Sequence, residues 1–288
     1  MSVFKAATVQ MRSGMDPARN AADFEALVRQ AAGRGATYVQ SPEMTGALVR
    51  DRETLRRIVK DEIRGGWRFG VRRLAAELQI AIHLGSTAIA LPGGKVANRA
   101  FLFDRAGALV ATYDKIHMFD VDLDKGESWR ESATYQPGGR AVVATLAGVP
   151  FGLAICYDLR FPQLFRAQAL AGAAVLSAPA AFTRQTGRAH WHVLTRARAI
   201  ENGAWLVAAA QGGLHEDGRE TFGHSVIVDP WGAVVAEVAG DEPGIAIAEI
   251  DPRASAAARA KIPNLQNARE FGVDVVADDD ASVRRAAS

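Results

Sequence analysis

The sequence offers almost nothing for covalent cross-linking, because Cys156 is the only cysteine among its 288 residues. A single cysteine excludes an intrachain disulfide framework and any metal site that needs several thiolates. A reducing, cytoplasmic environment is therefore expected. The sequence also lacks an apolar run of the roughly 20 residues that span a bilayer, and its start, MSVFKAATVQ, lacks the regions of a signal peptide. We expect a soluble intracellular protein with no membrane partner.

An excess of charge of one sign is also missing, since 34 basic and 32 acidic residues give a formal net charge of +2. This balance predicts no nucleic-acid partner. Hydrophobic residues make up 49% and charged residues 23%, which is typical of a globular protein with a large core. No internal linker rich in proline, glycine or serine is present, so we predict one domain over residues 1–273. Residues 274–288 are polar and are predicted to form a flexible tail.

Short β-like runs alternate with amphipathic runs along the chain, which predicts alternating strands and helices. In the first half, strands are predicted at 3–10, 37–43 and 80–90, and helices at 17–35 and 67–79. In the second half, strands are predicted at 149–158, 173–180 and 205–212, and helices at 161–173 and 190–203. Alternation of this kind predicts an α/β fold in which helices cover sheets.

Two predicted hairpins, FLFDRAGALV and VIVDPWGAVV, resemble each other. Their Asp-x-x-Gly turns align in the same register, so that Asp104 and Gly107 match Asp229 and Gly232. Because each hairpin follows the same order of elements, the sequence predicts an internally doubled fold. Two sheets packed face to face, with helices outside, would satisfy both the doubling and the length.

Three predicted strands end in a reactive side chain, namely Glu43, Lys115 and Cys156. Active sites of α/β proteins usually form at strand ends, because neighbouring strands deliver side chains to one crevice. Each residue alone has a simpler interpretation, as a loop carboxylate, a lysine solvated or paired with Asp114, and a buried thiol. Together they can form a complete nucleophilic site.

A cysteine thiol with its ordinary pKa of about 8.5 is only a few per cent thiolate at neutral pH. The ammonium group of Lys115, and a helix that starts near Pro162, would favour the thiolate. Glu43 can act as the general base that takes the thiol proton and later activates water. Lys115 can also stabilise the negative charge that develops on a carbonyl oxygen during attack.

Motifs of other catalytic and binding classes are absent from the sequence. It contains no G-x-S-x-G, no H-E-x-x-H, no P-loop and no dinucleotide fingerprint. His190 and His192 lack an obvious partner carboxylate at metal-ligand spacing. A redox sensor based on Cys156 alone would lack a resolving cysteine within the chain.

From about Val3 to Phe271 the sequence resembles the carbon–nitrogen hydrolase, or nitrilase, superfamily. The Glu–Lys–Cys triad of that family falls on Glu43 in SPEM, Lys115 in YDKIHMFD and Cys156 in ICYDLRFP. The resemblance implies a four-layer αββα sandwich and a homodimer or higher homo-oligomer. It also implies no metal and no organic cofactor.

Within the superfamily, the stretches CYDLRFPQL, TGRAHWHVLTRARAIEN and VAAAQGGLHEDGRETFGHSVIVDPWG resemble the Nit branch, most of all the deaminated glutathione amidases. The resemblance implies an amidase of linear carboxamides that forms an acyl-thioester and releases 2-oxoglutarate and cysteinylglycine. The alternatives are an omega-amidase or another hydrolase of small aliphatic amides or N-carbamoyl compounds, and a non-catalytic binding protein on the same fold.

The resemblance extends to residues around the triad. A second glutamate, which supports the lysine, falls on Glu131, although Glu127 lies in a similar GES stretch. Arg160 is implied to hold a substrate carboxylate, whose geometry a guanidinium group matches. The backbone N–H of Tyr157 is implied to contribute to the oxyanion site.

The loop PAAFTRQTG is implied to line the substrate pocket through Phe182 and Thr186. Each of the substrate residues has a structural alternative. Arg160 would instead form an ion pair, Phe182 would belong to the core, and Thr186 would stabilise a turn or a helix start.

Overall fold

The computed structural model describes residues 2–65, 67–124, 128–276 and 284–285. The helices in these residues are α1 (Pro17–Gly33), α2 (Arg52–Gly65), α3 (Trp67–Leu78), α4 (Pro162–Leu170), α5 (Arg184–Asn202) and α6 (Arg253–Lys261). The strands of the first half are β1 (Phe4–Gln10), β2 (Tyr38–Gln40), β3 (Ala81–Ala90), β4 (Val96–Phe103), β5 (Leu109–Asp114), β6 (Asp120–Asp122) and β7 (Ser128–Arg130). The later strands are β8 (Val142–Leu146), β9 (Val149–Leu153), β10 (Val175–Ser177), β11 (Trp205–Ala208), β12 (Gly212–Leu214), β13 (Glu220–Phe222), β14 (Val226–Val228), β15 (Val234–Glu237), β16 (Gly244–Ile250), β17 (Asp274–Val275) and β18 (Arg284–Arg285).

Two six-stranded sheets repeat one pattern of strands. The first sheet has the order β16-β1-β2-β3-β4-β5, and the second has the order β8-β9-β10-β11-β14-β15. In both sheets the second, third and fourth strands are parallel, and the remaining neighbours are antiparallel. The predicted doubling is confirmed by these matching orders.

The two matching hairpins end in equivalent turns. Oδ1 of Asp104 accepts hydrogen bonds from the backbone N–H groups two and four residues later, at 2.9 and 2.8 Å. Oδ1 of Asp229 accepts the equivalent bonds at 2.9 and 2.8 Å. Gly107 and Gly232 follow with φ of 77° and 88°, a conformation that glycine adopts without strain. The shared Asp-x-x-Gly motif therefore has one physical role in both halves.

The two sheets pack face to face, and helices cover their outer faces. In β2, Tyr38 lies in the core between the sheets and stacks on Phe151 of β9 with ring centroids 5.0 Å apart. The next residue, Val39, points to the other face and packs in a second core with Phe24 of α1 and Leu74 of α3. Helices α4 and α5 cover the second sheet. This arrangement is the predicted αββα sandwich, which is confirmed.

The sequence predicts the inner strands of both sheets but misses two edge strands, β8 and β16, as well as some helices. Helix α2, helix α6 and the small hairpins β6–β7 and β12–β13 are not predicted, since their segments are short or strongly charged. Helix α5 begins at Arg184, six residues before the predicted start, because the Thr183 hydroxyl accepts a hydrogen bond from the N–H of Thr186 and caps the first turn.

The sequence predicts one domain followed by a flexible C-terminal tail. One continuous core joins the two sheets, and the single domain over 1–273 stays a prediction. The predicted flexible tail, 274–288, falls mainly on residues 277–283 and 286–288, which lie outside the described residues. No helix in the described ranges is long and apolar enough to cross a membrane.

Candidate active site

Glu43 lies in a tight loop directly after β2. The loop is fixed by β3, where the N–H of Gly85 donates to the Ser41 hydroxyl at 3.0 Å and the N–H of Ser86 donates to the Pro42 carbonyl at 3.2 Å. A Cβ atom at Gly85 would collide with the carbonyl oxygens of Ser41 and Pro42. Glycine at this position therefore lets the loop cross β3 closely and holds the carboxylate at the sheet edge.

Cys156 lies at a sharp turn just beyond β9. Its φ is 50°, which is uncommon for a residue with a side chain, and its N–H donates to the Pro179 carbonyl at 2.8 Å. The residue begins a short 3₁₀ turn, Cys156–Arg160, and α4 follows at Pro162 as predicted. Left-handed backbone held in this way is typical of functional sites, because the surrounding hydrogen bonds must offset its strain.

Asp158 fixes this turn to the strand that carries the lysine. Its fully buried carboxylate accepts a hydrogen bond from the Ile155 N–H at 2.9 Å and from the Tyr113 hydroxyl at 2.7 Å. The N–H of His117 donates to the other carboxylate oxygen at 3.0 Å. Since Tyr113 and His117 lie on either side of Lys115, Asp158 sets the distance between the two chain segments. The sequence analysis does not identify this residue.

Lys115 lies between two glutamates at the end of β5. Its Nζ is 2.9 Å from Oε1 of Glu43, and 3.0 and 2.8 Å from the two carboxylate oxygens of Glu131. Lys115 is only 2% exposed and Glu43 only 4%. The structure thus brings Glu43, Lys115, Glu131 and Cys156 to one point, although their catalytic roles stay a prediction. Glu127, the alternative to Glu131, lies outside the described residues.

Further donors orient the two carboxylates. The Asn98 amide donates to Oε1 of Glu43 at 2.9 Å and to Oε1 of Glu131 at 3.3 Å. The N–H of Ala181 donates to Oε2 of Glu43 at 3.1 Å, and the N–H of Phe119 donates to Oε2 of Glu131 at 2.7 Å. The sequence analysis does not identify Asn98. The available signal is a short amide side chain, next to Arg99, in the mainly apolar strand VANRAFLF, because a buried amide needs partners.

The charges in this cluster shift the pKa values of the lysine and the thiol. Burial by itself would lower the pKa of Lys115, but the charges of Glu131 and Glu43 outweigh it and raise the pKa well above its ordinary value. Burial, together with the charge of Glu43, raises the pKa of the Cys156 thiol, although Lys115 acts in the opposite direction. The lysine is therefore charged and the resting cysteine is a thiol. The expected stabilisation of a thiolate by Lys115 is present but is outweighed.

A cavity of about 290 Å³ opens onto this cluster, and all of the sequence-predicted site residues line it. The guanidinium group of Arg160 forms no ion pair with a carboxylate in the described part of the chain, and its one polar contact is with Nδ1 of His190, at 3.2 Å. No described residue accepts a hydrogen bond from the N–H of Tyr157. Both groups are therefore available to a ligand, and the ion-pair alternative for Arg160 is not supported.

The other two predicted pocket residues combine packing with exposure to the cavity. Phe182 packs edge to face on Trp191 with centroids 5.1 Å apart, and it also lines the cavity. The hydroxyl of Thr186 lies 2.9 Å from that of Thr183 in the first turn of α5. Thr186 therefore contributes both to the capped first turn of α5 and to the wall of the cavity.

One histidine differs from its sequence interpretation. Nε2 of His192 lies 3.0 Å from a carboxylate oxygen of Glu237, and Nδ1 of His224 contacts the same oxygen. The prediction that His192 lacks a partner carboxylate is therefore wrong, because β15 brings a distant glutamate to α5. These three residues are separate from the cavity at Cys156.

The arrangement supplies what hydrolysis of an amide requires. The cavity contains a thiol beside a carboxylate that can accept its proton, a charged lysine, and an N–H group for a developing oxyanion. A retained carboxylate next to the thiol also suits activation of water in a second step.

Comparisons with known proteins agree with this chemistry. The carbon-nitrogen hydrolase family profile matches residues 5–260. A curated relative from Synechocystis sp., named deaminated glutathione amidase, is 39% identical over 271 residues, which cover 93% of this chain and 98% of the relative. The crystal structure of the C. elegans NitFhit protein has a TM-score of 0.88 at 32% identity and covers 93% of this chain, which spans 66% of that protein.

A third comparison concerns covalent chemistry in a similar fold. A mutant of the amidase from Nesterenkonia sp. AN1 shows covalent addition of the acetamide moiety of fluoroacetamide at its active-site cysteine. Its structure has a TM-score of 0.78 at 25% identity, and the match covers 92% of this chain and 94% of that one.

Proposed function

The chain belongs to the carbon–nitrogen hydrolase family and is an amide-hydrolysing enzyme, and we propose that it hydrolyses deaminated glutathione through a thioester at Cys156. The observation that carries this proposal is the contact of one buried lysine with two carboxylates beside a strained cysteine, in a cavity large enough for a small amide. The relatives named deaminated glutathione amidase support the choice of substrate.

In the first step Cys156 attacks the amide carbon. Glu43 accepts the thiol proton as the S–C bond forms, and the Lys115 ammonium and the Tyr157 N–H stabilise the oxyanion. Glu43 then gives the proton to the leaving nitrogen, the C–N bond breaks, and a thioester remains. Glu131 keeps Lys115 in position, because it binds the ammonium with both oxygens. One oxyanion donor is worth about 3–4 kcal/mol in such reactions.

In the second step a water molecule attacks the thioester. Glu43 accepts a proton from the water, the S–C bond breaks, and the thiol is restored as the acid leaves. With deaminated glutathione the amine product is cysteinylglycine and the acid is 2-oxoglutarate. With a primary amide the amine product is ammonia. The four residues of the cluster act in the same way on both substrates.

Arg160 is proposed to bind the carboxylate of the 2-oxo acid, with Phe182 and Thr186 forming the wall around its carbon chain. Absence of a carboxylate partner for Arg160 among the described residues supports this role. An omega-amidase differs in the leaving group alone, so comparison of kcat/KM for deaminated glutathione and 2-oxoglutaramate tests the choice. Equal values, or a preference for 2-oxoglutaramate, would reject deaminated glutathione as the preferred substrate.

The proposed intermediate can be trapped and weighed. Intact mass spectrometry of the protein, quenched during turnover of deaminated glutathione, should detect one added 2-oxoglutaryl group, and peptide mapping should locate it on Cys156. The C156A variant is the matched control and should gain no mass. An unmodified protein during steady turnover, with hydrolysis intact in C156A, would reject the thioester mechanism.

We also propose that the chain forms a homodimer inside the cell. On α5, Val193 and Ile200 are 68% and 51% exposed, and Ile200 adjoins Gly232 in the turn that carries Trp231, which is 58% exposed. Several large apolar side chains exposed on neighbouring segments support self-association. Light scattering should give twice the chain mass for the wild type and a smaller mass for V193E. An intracellular location is supported by the need for a reduced thiol, and cell fractionation tests it.

A further inference from the structure

Basic side chains outnumber acidic ones in the lining of the cavity at Cys156. Lys115 is balanced by Glu43 and Glu131, and a third carboxylate, Glu220, lies 3.5 Å from Arg184. Five arginines also line the cavity, and two of them, Arg130 and Arg219, are paired with Asp122 and Asp217 outside the lining. The other three have no ion-pair partner among the described residues. The five arginines of the lining are Arg50, Arg52, Arg130, Arg160 and Arg219. The cavity therefore favours a ligand with more than one negative charge.

A row of aromatic rings extends from Arg160 along the cavity wall. The guanidinium carbon of Arg160 lies 5.9 Å from the centre of the Tyr157 ring. The ring of Tyr157 is 5.1 Å from that of Phe119, which in turn is 6.4 Å from that of Trp129. Two rings, those of Tyr157 and Phe119, therefore lie between Arg160 and the ring of Trp129 in this row.

Two arginines lie at the far end of the row. The guanidinium carbons of Arg50 and Arg219 are 4.8 and 4.9 Å from the centre of the Trp129 ring. Arg219 is fixed by Asp217, whose carboxylate accepts from Nε at 2.8 Å. Arg50 is exposed and forms no ion pair with any carboxylate that the structure describes. Arg130 already has other partners, because its Nη2 donates to both carboxylate oxygens of Asp122 and its Nη1 donates to the carbonyls of Val121 and Trp129.

We propose that Arg50, together with Arg219 against Trp129, forms a second carboxylate subsite, which binds the terminal carboxylate of the leaving dipeptide. The inference rests on the proposed function, because only deaminated glutathione carries a carboxylate on each side of the scissile amide. Two extended residues reach about 7 Å beyond the scissile nitrogen. A stacked guanidinium group can present the donors at its edge to a carboxylate, which suits Arg50 for this role. Arg219 has Nε and Nη2 engaged by Asp217, so it contributes its remaining nitrogen, Nη1.

The subsite is tested by two deaminated glutathione substrates that differ in one group. The first has the natural terminal carboxylate, and the second has a glycinamide in its place. For the wild type we expect kcat/KM to be about tenfold to a hundredfold higher for the carboxylate, since a charge-assisted bond is lost in the amide. In R50Q this preference should fall to about threefold or less, and R50K should retain an intermediate preference because it keeps the charge but not the planar fork.

The charge-matched control is R56Q, which removes an exposed arginine of α2 that does not line the cavity. It should retain the wild-type preference, and thermal melting should give similar midpoints for all variants. Equal kcat/KM of the wild type for the two substrates would overturn the subsite, as would an unchanged preference in R50Q. Failure of the wild type to hydrolyse either substrate, with 2-oxoglutaramate still hydrolysed, would instead reject deaminated glutathione as substrate.

Discussion

The two halves of the sandwich share one backbone plan but carry different side chains at the same strand ends. In the first half β2 is followed by Ser41, Pro42 and Glu43, and in the second half β10 is followed by alanine, Pro179 and Ala180. The prolines coincide, whereas the catalytic candidate of one half corresponds to a methyl group in the other. Duplicated backbone therefore does not imply duplicated chemistry.

The carbonyl groups of these two prolines fix different reactive residues. In the first half the carbonyl of Pro42 accepts from Ser86 and fixes the Glu43 loop, whereas that of Pro179 accepts from Cys156 and fixes the nucleophile. Each half thus positions a different reactive group, and the cluster forms only where the two sheets meet. Substitutions in one half alone can test whether each half positions its own reactive group.

The largest effect is expected from C156A, which removes the one reactive group supplied by the second half. The rate constant kcat should fall by at least about 10⁴-fold, because the nucleophile cannot be replaced by a neighbouring group. Circular dichroism should remain that of the wild type, since alanine fits the same space. Steady-state assays with deaminated glutathione provide the measurement. Residual turnover above about 1% of the wild type would assign the nucleophile to another residue.

The next largest effect is expected from E43Q, which removes the carboxylate that has no counterpart after β10. Loss of the general base should lower kcat by about 10²- to 10⁴-fold. Because the charge of Glu43 raises the pKa of Cys156, its removal should lower that pKa. The rate of iodoacetamide alkylation should then reach its half-maximum at a lower pH than in the wild type.

The matched control for that pH shift is E220Q, since Glu220 lines the cavity but is not among the groups that shift the pKa of Cys156. Its alkylation profile should coincide with that of the wild type. A profile for E43Q that is unchanged, or displaced to higher pH, would contradict the assigned electrostatics.

A smaller effect is expected from D158N, which weakens the connection between the turn of Cys156 and the strand of Lys115. Asparagine has one acceptor oxygen, so its amide nitrogen must face either the donors of Ile155 and Tyr113 or the N–H of His117. A buried donor then loses its acceptor, and the free energy of unfolding should fall by about 2–3 kcal/mol. If Asp158 positions the nucleophile, kcat should fall about tenfold to a hundredfold with little change in KM. Loss of stability with unaltered kcat would restrict Asp158 to a purely structural role.

The smallest effect is expected from the paired variants D104A and D229A, which remove the same turn from each half. Each loses two hydrogen bonds to backbone N–H groups in an exposed turn, so each should lower the free energy of unfolding by about 1 kcal/mol. Urea unfolding at one protein concentration provides the measurement. Values that differ by more than about 1 kcal/mol would show that the two turns are not equivalent.

Local patterns in the sequence predict the repeated features of the fold. The Asp104 and Asp229 turns and the alternation of strand and helix depend on nearby residues, and both are predicted. Helix α2 is missed because its charged sequence, RETLRRIVKDEIRG, matches a solvated surface as well as a helix. The length of α5 is missed because its cap, Thr183, lies outside the obvious amphipathic run.

The same distinction between local patterns and distant contacts applies to the residues of the site. Glu43, Lys115 and Cys156 stand at strand ends, where the sequence pattern draws attention to them. Asn98 and the Arg50–Trp129–Arg219 group gain their meaning only from contacts between distant segments, which no local pattern reports. The raised pKa of the thiol is likewise a consequence of burial among neighbours, so it could not be derived from residue types alone.

Glu43 follows a strand of the first sheet and Cys156 follows a strand of the second. Cleavage of the chain between the two sheets would therefore separate the base from the nucleophile. The exposed segment at Gly139 and Arg140 lies between Glu131 and Cys156. A chain severed there would yield two fragments, one with the carboxylates and the ammonium and the other with the sulfur, each inert by itself. Turnover would then report reassociation of the fragments, in which β16 of the second fragment pairs again with β1 of the first.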